Sequence, residues 1–582
     1  MAKITKYYKD KTIPTNFDLN PNADICTCKN QYNDSNLEKV IIELDKNTNY
    51  IQSYQIYCQC DFKLIGENST ITIPENLSSD TESGVDTNSR CYDESLINFH
   101  GKDTSIEIKN INFNFSGTLK RNNWEENYGF YFIKLENLNG VEIDNISMVI
   151  DSQKLTNIDI RGCSNVTIKN SRIENYHANK IGGCIWVRNN STNSSFNNIN
   201  IIDNHLKKMG NDECIAIWTS QQSNYGNSMK NILISRNKFE YTKESDSSSE
   251  YVNDVFIKIY NEDSSISFNN CSGSFSNFVY GENYEHIMEN IIISDNIFHI
   301  NYIVHKIISF WNNGYFFSNN IIIKHNTIII SNFQIPENIT YKTLGVFGIN
   351  DVTNKLLNIT IEDNVIQSSN LNLDNETPIV EALSLYGGNI LFQNNTINAI
   401  NDAKIIGIAI RNNQRTNASS SNTSSNNDIM LQNYINLTCR SNVFSGLFLL
   451  GSFSYPLLSP NDIIIANFTD NFFEGDTKIY CNNIASLHAD FDNNYYKNSK
   501  ISYVFQNFAQ NGRFLFRNNT IKPSCSNNNC QIYKCYSITD NSHFDYIGII
   551  NNKFINIIKG SNLLGFPSDS NLSEINNYYI EE

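Results

Sequence analysis

Proline is scarce in this 582-residue chain, with 9 in all. Strong helix formers such as Ala and Leu are few, and no stretch sustains a helical period. Basic charge is also in deficit. Lys and Arg number 44 against 60 Asp and Glu, a formal charge of -16, and no basic cluster stands out. This balance argues against a nucleic-acid backbone as partner. No apolar run approaches the ~20 residues that span a bilayer, so no membrane insertion is expected. The opening segment from Met1 to Asp10 carries positive charge but no apolar core of a leader. An unprocessed chain of this kind folds in a cytoplasm, with its 14 Cys mostly as thiols.

What fills the gap is amide and β-branched side chains. About one residue in six is Asn and about one in seven is Ile. Their spacing is ordered. The pattern apolar-x-apolar-x-x-Asn-x-apolar recurs eleven times, with Asn at 204, 237, 296, 326, 364, 395, 442, 471, 494, 519 and 552. Related N-terminal versions place Ile111, Ile146 and Ser171 at the Asn position. Alternation of period two predicts a strand with one buried face. The break before Asn predicts a corner, with Asn in the left-handed conformation it tolerates. A further apolar strand follows many corners, as at Cys184–Val187 and Cys214–Trp218. Stacked corners align the Asn amides in a ladder. The expected fold is therefore all-β: a single-stranded right-handed parallel β-helix, or solenoid, with an asparagine ladder.

On these repeats the chain resembles the right-handed parallel β-helix (pectin-lyase-like) superfamily. Val40–Leu44, Phe62–Gly66 and Thr70–Ile73 look like its opening coils. The organisation expected is an N-terminal arm or cap over 1–37, the β-helix over 38–560 and a C-terminal tail over 561–582. Low-complexity stretches such as 189–195, 220–227, 261–289 and 411–427 fall mostly at one place in the coil, where they build a groove wall.

Gly210-Asn-Asp-Glu-Cys-Ile-Ala-Ile217 is similar to a segment of the polygalacturonase-like glycoside hydrolases of family 28. By that resemblance Asp212 and Glu213 are the carboxylate pair of a general acid and a water-activating base, with Asp254 one repeat on. The chain departs from the family at Ile181, where a further carboxylate is expected. The same carboxylates also suit a turn cap with solvated side chains, the more ordinary reading. Trp186, Trp218 and Trp311 recur at nearly the same offset after their corners, and alternation with Ile185 and Ile217 points the first two outward. Outward aromatics suit sugar rings. His205 and Arg188 lie near and complete the candidate binding set. Cys26-x-Cys28, Cys58-x-Cys60 and Cys525, Cys530 and Cys535 lack the pairing of a zinc site, and no metal or cofactor is expected.

Taken together, these features look like a bacteriophage tailspike or fibre. The resemblance implies a homotrimer on the virion surface, attached to virion structural proteins and binding host cell-surface polysaccharide. Such proteins leave by lysis and need no leader. Two other readings stay open: a glycan depolymerase using Asp212 and Glu213, and an architectural virion decoration protein without glycan binding.

Overall fold

The computed structural model describes residues 2–28, 30–74, 95–115, 130–150, 155–175, 183–188, 195–208, 213–220, 228–241, 255–262, 286–302, 306–312, 316–334, 343–351, 358–371, 379–385, 387–399, 405–410, 434–445, 448–451, 463–475, 477–482, 486–497, 501–506, 512–523, 536–537, 544–557 and 572–580. Every regular element among them is a strand. They fall into two compact units, Met1–Tyr260 with Ile287–Tyr302, and Asn261–His286 with Ile303–Glu582.

In each unit the chain winds as a right-handed parallel β-helix. One coil of the first unit runs from the strand Ser164–Lys169 through the corner at Asn170 and Ser171 to the strand Arg172–Asn175. It then reaches a third strand, Ile185–Arg188. Each strand pairs in parallel with its counterpart one coil away, in matched register: Val166 with Ile199, Ile173 with Leu206, and Ile185 with Ile215. The second unit repeats the arrangement, for example Ile359 with Ile390, Ile366 with Ile397 and Leu383 with Ile408. Because like residues face like residues, the core fills with Ile, Val, Leu and Phe at near-zero exposure. Rings in equivalent positions stack, as Phe239 on Phe298 at 4.6 Å and Phe468 on Phe491 at 4.6 Å.

The corner Asn residues form the ladder. Asn364 shows its logic. Its Nδ2 donates to Oδ1 of Asn395 at 3.0 Å and to the backbone oxygen of Ile323 at 2.9 Å. Its own Oδ1 accepts from the backbone N–H and the Nδ2 of Asn326, at 3.0 and 2.9 Å. Both amide protons and the carbonyl are thus used, which makes full burial tolerable. The second unit continues this pattern through Asn395, Asn442, Asn471, Asn494, Asn519 and Asn552 to Asn577. In the first unit it runs from Ser171 through Asn204 and Asn237 to Asn296, with the Ser171 hydroxyl accepting from the N–H of Ile146.

One expectation needs correcting. The residue with positive φ is the one before the ladder Asn: Asp203, Arg236, Asp295, His325, Asp363, Asn394, Ser441, Asp470, Asn493, Asn518, Asn551 and Asn576. The ladder amide must point inward along the stack, so the exposed residue before it absorbs the bend. A second left-handed position lies within the first strand, at Asn165, Asn198, Asn231 and Asn290. There an outer ladder forms, as Asn198 Nδ2 donates to Asn165 Oδ1 at 2.7 Å. Asn tolerates the left-handed conformation at both positions.

At the start, Ala2–Tyr8 pairs antiparallel with both Thr15–Leu19 and Leu37–Glu43. This cap covers the edge that the first coil strand otherwise leaves open. Within the stretch read from sequence as a tail, Leu572–Ile575 and Tyr578–Ile580 pair in parallel with Phe544–Ile550 and Lys553–Ile555 and carry the ladder residue Asn577.

Removing a rung leaves several buried polar groups without partners. Asn364→Ala is expected to cost about 3–5 kcal/mol and to speed unfolding in denaturant at least tenfold. Asn364→Ser, which keeps one acceptor as Ser171 does, falls between Ala and wild type. Unfolding rates of the three proteins check this order.

Candidate functional site: the outer face of the third-strand sheet

In the first unit the third strands include Ser95–His100, Phe130–Glu136, Leu155–Arg161, Ile185–Arg188 and Ile215–Ser220. Their register sets two outward rows. One is Asn98, Lys134, Asp159, Trp186 and Ala216, and the other is His100, Glu136, Arg161, Arg188 and Trp218. The inward neighbours Ile158, Ile160, Ile185, Val187, Ile215 and Ile217 are fully buried, so alternation does aim both Trp side chains out of the core.

Asp159 is the hub of the outer face. Its carboxylate accepts from Arg188 Nε and Nη2, each at 2.9 Å, and from Arg161 Nε at 2.5 Å. Arg188 Nη2 also donates to the Tyr131 hydroxyl at 2.8 Å. Tyr131 reaches this face because two consecutive residues, Phe132 and Ile133, are both buried and break the alternation ahead of it. The Arg161 guanidinium lies 4.9 Å from the Tyr131 ring centre, and Arg188 lies 5.4 Å from that of Trp218. Trp186 and Trp218 meet edge to face at 5.4 Å. Tyr131 meets Trp186 at 6.4 Å.

Asp159 is fully buried, while Arg161 and Arg188 keep 22% of their side-chain surface. Burial pushes the Asp159 carboxyl up, but the charges and hydrogen bonds of Arg188 and Arg161 overcome this and hold it below the usual carboxylate range. Two guanidiniums over one carboxylate leave a net positive charge beside three aromatic side chains, of which Tyr131 is buried and Trp186 and Trp218 are half-buried. Trp186 Nε1 is buried with no hydrogen-bond partner among the described residues. It packs where a Cβ on Gly183 would meet both Nε1 at 2.4 Å and the Glu213 backbone oxygen at 2.3 Å, so position 183 admits only Gly.

The sequence-derived candidates are placed unevenly. Trp186, Arg188 and Trp218 come together, although Trp218 pairs in register with Arg188 and Trp186 with Ala216, so the two indoles occupy different rows. Glu213 is half-buried just before Cys214. Asp212 and Asp254 lie outside the described residues. Trp311 belongs to the strand Lys306–Asn312 of the second unit. His205 stands on a second strand of the coil, between Arg172 and Lys238, with Nε2 3.3 Å from a Glu240 carboxylate oxygen. Tyr131 and Asp159 were not among the candidates. The signal for Asp159 was there: Ile158-Asp-Ile-Arg161 repeats the frame of Ile185-Trp-Val-Arg188 one coil earlier. Among the described residues, no group of three or more His, Cys, Asp and Glu is placed to hold a metal ion.

No protein-family model matches the chain, and no curated protein matches it either.

Asp159 also makes a test of the site's internal order. A depressed folded-state pKa means its stabilisation is complete above the ordinary carboxylate range near pH 4 and is lost as pH falls through the lower folded-state value. Asp159→Asn is expected to cost about 3 kcal/mol at neutral pH by leaving the guanidiniums uncompensated. The penalty shrinks between about pH 5 and pH 3. Thermal unfolding of both proteins across that range measures it.

Proposed function

We propose that this chain is a β-helical adhesin of the tailspike or fibre kind that binds a surface polysaccharide through the outer face around Trp186 and Trp218. The observation that carries the reading is the cluster of Tyr131, Trp186 and Trp218 around two guanidiniums on the outside of a rigid sheet. Sugar rings offer apolar C–H faces to aromatic rings and hydroxyls to N–H donors, and both kinds of partner stand here side by side. A strand-borne site is pre-organised, so binding spends little on ordering. Placement on a virion, as a homotrimer attached to virion structural proteins, completes the proposal and rests on the repeat architecture and its sequence resemblance.

Binding of purified protein to host capsular or cell-wall polysaccharide tests the reading. Trp218→Ala is expected to weaken binding about tenfold or more, the size of a lost aromatic contact with its buried area. Its melting temperature should stay within a few degrees of wild type. Binding that ignores the substitution refutes the site. Release of reducing ends that disappears in Asp212→Asn makes the protein a depolymerase instead. Failure to bind any host glycan while remaining on particles makes it architectural.

A further inference from the structure

The eight described cysteines are all free thiols, and seven are buried. Two of them stand only one residue apart in the chain. Cys58 ends the strand Ile56–Cys58, and Cys60 directly precedes the strand Asp61–Thr72. Their sulfurs are 3.3 Å apart. Residues i and i+2 of a straight strand lie about 6.6 Å apart at Cα, the upper end of what a disulfide spans. Here the chain bends at Gln59 and Cys60. The bend turns both thiols to one side, and the sulfurs need approach only about 1.2 Å further to bond.

We infer that Cys58 and Cys60 form a redox-active dithiol, which a hydroperoxide converts to an intrachain disulfide. Exposure selects the oxidant. Cys58 keeps 1% of its surface and Cys60 keeps 7%, so bulky reagents are shut out and a small peroxide is admitted through the Cys60 side. The environment also assigns the roles. The hydrogen bond shared by the two sulfurs, in which either can donate, holds Cys58 below its ordinary value despite burial, with the charge of Lys6 acting in the same direction. The same bond, with burial, pushes Cys60 up. Cys58 is then the nucleophile and Cys60 the resolving thiol. Neighbouring Cys26 is engaged with the backbone oxygen of Gln55 at 3.3 Å, and burial pushes its thiol up, so it does not compete.

The chemistry balances without any other group. Cys58 thiolate attacks one oxygen of hydrogen peroxide, the O–O bond breaks, and hydroxide leaves and takes up the thiol proton as water. Cys58 is now a sulfenic acid. The Cys60 sulfur attacks the Cys58 sulfur, the S–O bond breaks, and hydroxide departs with the Cys60 proton as a second water. Two thiols have lost two electrons, and one peroxide has become two waters. The ring closes over a single intervening residue, so it adds little constraint to the unfolded chain. Its consequence is chemical: a reversible modification under the cap, where Lys6 belongs to Ala2–Tyr8 and Cys58 pairs with Phe99.

The test uses reduced full-length protein, freed of reductant and given stoichiometric hydrogen peroxide, then unfolded in denaturant, alkylated and digested for mass spectrometry. The expected result is a peptide lighter by two hydrogens spanning Cys58 and Cys60. It should form at least tenfold faster than oxidation of the exposed Cys28 and revert with dithiothreitol. In Cys60→Ser, Cys58 should accumulate as a sulfenic acid, trapped by dimedone when the protein is unfolded in its presence. Recovery of both residues as alkylated thiols, oxidation no faster than at Cys28, or a Cys58 crosslink to Cys26 overturns the proposal. The wild-type measurement decides the matter even if the variant does not fold.

Discussion

A carboxamide that both gives and takes along the stacking direction is the constraint from which the rest of this structure follows. Burying an Asn side chain is costly unless both protons and the carbonyl find partners. In these coils the only arrangement that satisfies all of them puts the next Asn directly above, with a strand carbonyl of the preceding coil completing the set. Register errors of one residue expose the ladder and bury charge, so the ladder and the apolar rows enforce each other.

The outer face inherits its precision from that register. Asp159, Arg161 and Arg188 meet because strands one coil apart in sequence are locked side by side, residue against residue. A buried carboxylate shared between two guanidiniums is an expensive arrangement by itself. It fixes the guanidinium planes, and with them Tyr131 and the indoles, in one geometry. A face of this kind is a rigid template rather than an adaptable loop.

Much of the fold was legible because period-two alternation and the Asn spacing are both set by backbone geometry, which composition bias leaves intact. Three features were not. The left-handed residue before each ladder Asn is filled by Asp, Arg, His, Ser or Asn, so no single letter marks it. The last rung was hidden because Glu574 stands where the pattern has an apolar residue, leaving Asn577 unrecognised. The antiparallel cap depends on pairing between Ala2–Tyr8 and Leu37–Glu43, a long-range contact that leaves no local period. At the site, alternation correctly turned Trp186 and Trp218 outward, but distance from the corner did not give their rows. The irregularity at Phe132 and Ile133 that delivers Tyr131 follows from packing alone.

The most direct measurement is a crystal structure at a resolution that fixes side-chain amides. The account predicts Nδ2 to Oδ1 separations of 2.9 to 3.1 Å for each successive pair from Asn326 to Asn577, and from Asn204 to Asn296. Successive amides offset sideways beyond hydrogen-bonding reach, or turned to solvent, contradict it.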